Sequence, residues 1–159
     1  MAQKIADQVA RETPLSPTAM AQQLAAVYRD YSRAATLAGA DMTAGGNVSL
    51  LEDAFLVEDS SVQVARLAAG LCAYWATCGA PGVPAHGGTS VQSVVITTAG
   101  HVAAMEAAIR ALVTDEEVPD AFAAFYQATE NVVRLFPCTV VEIIPGSPPA
   151  PVPFPEFIA

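Results

Sequence analysis

Basic residues are scarce in this chain. Seven Lys and Arg stand against sixteen Asp and Glu, a net charge of −9 over 159 residues, and Lys4 is the single lysine. Holding a phosphate backbone requires clustered Lys and Arg to release counterions, and an anionic lipid surface recruits the same residues. With no basic cluster, direct contact with nucleic acid or a membrane surface is not expected. The acidity suits solubility first, and a basic partner surface second.

Metal-ligating residues are equally sparse. The only histidines are His86 and His101, and the three cysteines, Cys72, Cys78 and Cys138, are odd in number and at no metal spacing. Six residues apart on a helix, Cys72 and Cys78 would lie well round the axis from each other. They are expected to be buried free thiols packing as small hydrophobes in a reducing compartment. No metal and no cofactor is expected.

Long hydrophobic runs are missing too. The longest, around Val62 to Cys78, is interrupted by Gln63 and Arg66 and is short for a membrane span. Residues 1–12, MAQKIADQVARE, scatter charge where a secretory signal would carry an apolar core. The chain is therefore expected to be made in the cytoplasm without a signal peptide, with a virion as its destination.

What is present is apolar. The sequence is 53% hydrophobic and 14% charged, against about 25% charged in an ordinary globule. That excludes a disordered chain. Ten Gly and three Cys exclude collagen-like and disulfide-scaffold classes. The length fits one domain, and about a fifth of the residues are alanine, a strong helix former.

The chain parses into helices with a β element. Ala2 to Glu12 reads as a short amphipathic helix stopped by Pro14. Ser16 and Pro17 form an N-cap and first helical position. The helix they begin places Met20, Leu24, Val27, Tyr31 and Ala35 on one face and is expected to end at Gly39. Gly45-Gly46-Asn47 is a turn signal, and Leu50 to Val57 a short apolar run. Asp59, Ser60 or Ser61 could cap a helix over Val62 to Thr77, stopped by Gly79. That helix is apolar on almost every side, as expected of a central or partner-covered element.

Gly79 to Ser90 is a Gly- and Pro-rich loop of a length commonly tied to function. Val91 to Thr98 is rich in β-branched residues and reads as a strand, although the same residues also fit a helix. A helix over His101 to Val113 turns Val102, Met105, Ile109 and Leu112 inward, with Glu106 and Arg110 paired outside. Thr114 to Glu117 supply an acidic cap for a last helix running to about Phe136. It would bury Phe122, Phe125, Thr129, Val132 and Val133 and repeat the ion pair at Glu130 and Arg134. Cys138 to Ile144 reads as a strand that could pair with Val91 to Thr98.

The tail is of different character. Six of the fifteen residues in PGSPPAPVPFPEFIA (145–159) are proline, which imposes an extended chain. Val152, Phe154, Phe157 and Ile158 are spaced along it as apolar anchors. An extended peptide cannot bury such groups on itself, so these four are the expected partner-binding residues. Folding back over the chain's own helices is the competing possibility.

Catalytic signatures are lacking. Neither histidine sits in a nucleophile–base signature, and His86-Gly87-Gly88 resembles an oxyanion-hole loop without the accompanying serine elbow. The acidic residues Asp53, Glu58, Asp59, Asp115, Glu116 and Glu117 fall at expected helix ends, where they complement the dipole. Tyr28 with Tyr31 suits a helix-face contact, and Trp75 a core anchor. No Walker loop, dinucleotide fingerprint, zincin motif or EF-hand loop occurs.

These observations predict a mainly α-helical bundle of four or five helices with a small two-stranded β element (residues 1–144) and an extended Pro-rich C-terminal arm (145–159). The expected function is non-enzymatic, with no catalytic residue: a structural subunit of a large assembly whose arm docks on neighbouring subunits. A tailed-bacteriophage virion component (capsid decoration, neck or tail) heads the list. The partners would be other protein subunits in a homo-oligomer or hetero-assembly. One alternative is an autonomous helical domain with an apolar ligand or catalytic pocket near His86 and His101. Another is a regulator that binds a partner transiently through the same tail.

Overall fold

Ser16 sets the first helix in place. Its backbone is extended, and its side-chain oxygen accepts the Ala19 N–H at 3.2 Å, with Pro17 at the first helical position. This is the cap the sequence predicts. In the computed structural model the described residues are 15–33, 35–37, 40–41, 46–56, 62–79, 90–112, 118–143 and 150–154. The expected helix over Ala2 to Glu12 lies outside them.

Helix α1 (Pro17–Ser32) stops well before Gly39. The Ser32 hydroxyl donates to the Arg29 carbonyl, and the Ala35 N–H closes a tight three-residue bond on Ser32. Thr36–Leu37 (β1) then pairs antiparallel with Ala40–Asp41 (β2). The buried face is rotated from the expected one: Ala21, Ala25, Val27, Tyr28 and Ser32 are inside, while Met20, Leu24, Tyr31 and Ala35 are only half-buried. Small side chains set how closely a neighbouring helix can approach, and a pattern built on large apolar residues misses a face made with alanine and serine.

Asn47 caps α2 (Val48–Phe55), its side chain accepting the Ser49 N–H at 3.1 Å. Its own N–H donates to Thr77 Oγ1 at 2.8 Å, tying the start of α2 to the end of α3 (Gln63–Thr77). Helix α3 has no side-chain cap; Val62 stands at that position, and Asp59, Ser60 and Ser61 lie outside the described residues. It buries Ala68, Leu71, Cys72, Tyr74 and Trp75 and packs against α2, α4 and β3, the central one of the two placements its apolar sequence allows. The approach to α2 is close. A Cβ on Gly70 would collide with the Ala54 methyl and come within 3.2 Å of the Leu50 carbonyl.

Strand β3 (Ser90–Ile96) leads through a 3-10 turn (Ala99–His101) into α4 (Val102–Arg110), which buries Met105 and Ile109. Helix α5 (Val118–Val133) buries Thr129, Val132 and Val133, and tight bonds from Leu135 and Phe136 finish its last turn before Pro137. The two i,i+4 ion pairs, Glu106–Arg110 and Glu130–Arg134, both form on the exposed side. The fold is mainly helical, with five helices among the described residues and a small antiparallel sheet.

That sheet begins as predicted. Strand β4 (Cys138–Ile143) pairs antiparallel with β3, Val94 opposite Val140 and Ile96 opposite Cys138, with an irregularity between Val91 and Ser93. It differs from the two-stranded expectation by one member. Ala150–Phe154, from the Pro-rich arm, forms β5 on the other side of β4, giving the order β3-β4-β5. No helix among the described residues is long and apolar enough to cross a membrane.

Candidate functional site

The arm is built to bond on one side only. The Thr97 N–H donates to the Pro137 carbonyl at 2.9 Å. Backbone groups alternate sides along a strand, so Thr139 and Val141 also turn theirs toward β3. Cys138, Val140 and Glu142 then turn theirs toward β5, opposite Phe154, Val152 and Ala150. On β5 the intervening residues are Pro151 and Pro153, opposite Val141 and Thr139. Their ring nitrogens carry no hydrogen and face away from β4. The outer edge of β5 therefore offers carbonyl acceptors and no N–H donor. Pro149 and Pro155 continue the alternation in the sequence. Prolines on an edge strand prevent another strand from adding there.

Two of the four predicted anchor positions thus lie on the chain's own sheet: Val152 opposite Val140 and Phe154 opposite Cys138. Phe157 and Ile158 fall outside the described residues.

Among the helices an aromatic cluster with buried hydroxyls surrounds Tyr28. Its ring meets Phe55 of α2, Tyr74 of α3, and Phe125 and Tyr126 of α5 at centroid distances of 6.0 to 6.4 Å. Trp75 Nε1 donates to the Tyr28 hydroxyl at 3.1 Å, and the Ser32 and Tyr74 hydroxyls are bonded to each other. Burial holds the Tyr28 hydroxyl well above the ordinary tyrosine range, with the Trp75 hydrogen bond offsetting part of it. Burial pushes Tyr74 up to about 12. Both stay neutral donors and acceptors in a core where every buried polar group needs a partner. Tyr31 reaches the edge of the cluster, 5.0 Å from Tyr126, and burial together with the Glu130 carboxylate raises its hydroxyl as well. Arg134, and to a lesser degree Tyr31, hold Glu130 below the usual carboxylate range. The cluster binds α1 to α2, α3 and α5. The signal for it was a Tyr and Ser four apart on α1, which a search for large apolar residues passes over.

The nucleophile inventory is unpromising. Cys72, Cys78 and Cys138 are buried free thiols, as predicted. Burial pushes Cys72 and Cys138 up to about 11 and raises Cys78, which keeps them protonated and unreactive at neutral pH. His101 ends the 3-10 turn, half-buried, its ring edge-on to Phe136 at 5.3 Å, and its Nδ1 is buried with no hydrogen-bond partner. His86 lies outside the described residues, as do Glu58, Asp59, Asp115, Glu116 and Glu117, while Asp53 is exposed on α2. Among the described residues no three His, Cys, Asp or Glu side chains are grouped to hold a metal ion. Compared with known proteins, the chain matches no family model, no curated protein and no solved structure.

Proposed function

We propose that this chain is a non-enzymatic structural subunit of a larger protein assembly, held to neighbouring subunits through its C-terminal arm. The observation that supports this most is the one-sided strand β5. Its proline alternation leaves one bonding edge and removes the donors from the other, a specialisation that no reaction requires. It belongs to a segment meant to be placed on a sheet and to go no further. Beyond it the sequence still carries Phe157 and Ile158, apolar anchors for a surface contact. The partners are other protein subunits rather than nucleic acid, given the net charge of −9. The virion of a tailed bacteriophage is the setting we favour, on the small size, the missing motifs and the arm in the sequence rather than on the fold.

Native mass spectrometry of the full chain and of a chain ending at Gly146 tests this. The full chain is expected to form a defined oligomer, and the shortened one to retain its helical circular dichroism as a monomer. Equal monomers in both samples would refute the assembly role.

The unpartnered Nδ1 of His101 supports a second possibility, a small-molecule site beside that turn. It predicts ligand binding that survives removal of Pro148 to Ala159 and is lost in His101→Ala.

A further inference from the structure

Backbone bonding gives the arm one route to a neighbour. Every N–H donor on β5 belongs to Ala150, Val152 or Phe154, and all three stand opposite β4 of the same chain. Pro151 and Pro153 leave the outer edge without donors, so β5 cannot hold its own β4 and pair with a strand of another molecule on its far side. A ladder between the arm and a neighbour can form only if the arm leaves its own β4 and takes the same place on another.

We propose that β5 is an exchanging strand: the arm of one copy occupies the β4 edge of a second copy, whose own arm is displaced in turn. This rests on the assembly role proposed above and names the partner as a second copy of this chain. The acceptor is the backbone of Cys138, Val140 and Glu142, and the register is the one already seen within the chain, Phe154 opposite Cys138, Val152 opposite Val140 and Ala150 opposite Glu142. Self-recognition needs no new complementarity, because the bonds made within and between copies are identical. Exchange of an identical element is a low-cost route to oligomers for that reason.

The link between the strands supports it. Residues 144–149, Ile-Pro-Gly-Ser-Pro-Pro, contain three prolines among six, a composition that favours an extended connection. Copies held together in an assembly meet at the high effective concentrations at which an intermolecular partner competes with an intramolecular one. The donor-free outer edge has a further consequence here. An exchanged arm still ends the sheet it joins, so no further strand is added on its outer side.

The test uses the cross-strand positions. Full-length Phe154→Cys places a thiol opposite the native Cys138, and Val140→Cys with Val152→Cys supplies a second pair at an independent position. Each variant is prepared as an equal mixture of isotope-labelled and unlabelled chains, unfolded and refolded together, concentrated, oxidised and digested. Linked peptides are then weighed by mass spectrometry. With exchange in a dimer, about half of the linked peptide carries one labelled and one unlabelled partner, since pairing between chains is random. Linked peptides of a single label only, or no linkage at either pair, would overturn strand exchange. The outcome is separable from that of the assembly role. An oligomer that is lost on shortening to Gly146 but shows only single-label linkage keeps the arm as a clamp and removes exchange as its mechanism.

Discussion

At the scale of single residues, Tyr28 and Gly70 each fix a helix contact. Tyr28 is fully buried and its hydroxyl accepts from Trp75 Nε1. Tyr28→Phe keeps the ring contacts and strands the indole N–H without a partner, which costs about 1–3 kcal/mol. Urea unfolding should show a lower midpoint with unchanged slope. Gly70 works by having no side chain. In Gly70→Ala the new methyl meets Ala54, and the overpacking should cost about 1–3 kcal/mol. Ala54→Gly in the same chain should restore part of the loss, a coupling that a double-mutant cycle measures. The thiols set a pH signature. Cys72 and Cys138 have folded values raised from 9.0 to about 11. A raised value contributes stability that is complete below the unfolded value and is lost as pH climbs toward the folded one. Stability should therefore fall between about pH 9 and 11, less steeply in Cys72→Ala. A thiol reagent at neutral pH should label none of the three cysteines until urea unfolds the chain.

At the scale of elements, the sequence carried local signals well and contacts poorly. The Ser16-Pro17 cap, the long apolar helix carrying Trp75, the strand at Cys138 and the two Glu–Arg pairs were all legible, because each is decided by residues a few positions apart. Val91 to Thr98 fits a strand or a helix in sequence, and its pairing with β4 decides for the strand. The length and face of α1 were not legible. Its end is set by Ser32 bonding back to Arg29 and across to Tyr74 on α3, and its buried face by alanines whose value depends on which helix approaches them. Helix α2 is hidden in sequence, because Asn47 gives a turn signal with Gly45 and Gly46 and the apolar run after it is short. The arm was legible as extended and proline-rich. That its prolines fall on alternate positions of a strand became visible only with the register. This predicts the behaviour of one double variant. Replacing Pro151 and Pro153 by Thr returns two N–H donors to the outer edge, so the chain should add strands there and form open-ended aggregates that light scattering detects. Replacing Ala150 and Val152 by Thr, on the bonded side, should not do so.

At the scale of the whole molecule, five helices among the described residues pack neighbour on neighbour, the Tyr28 cluster joins α1 to α2, α3 and α5, and a three-stranded sheet stands on α3 through β3. The sequence disclosed that class through composition and periodicity. The candidate site was less legible: Val152 and Phe154 stood out as anchors on an extended segment, but their place opposite Val140 and Cys138 was not readable, since which strand accepts an extended peptide is a long-range property. The most direct measurement is sedimentation equilibrium of the full chain beside a full-length variant with Val152 and Phe154 both replaced by Asp. An assembly subunit that docks through its arm should give a defined oligomer for the natural chain and a folded monomer for the variant. A monomer of the same mass in both, across the whole concentration range, would contradict it.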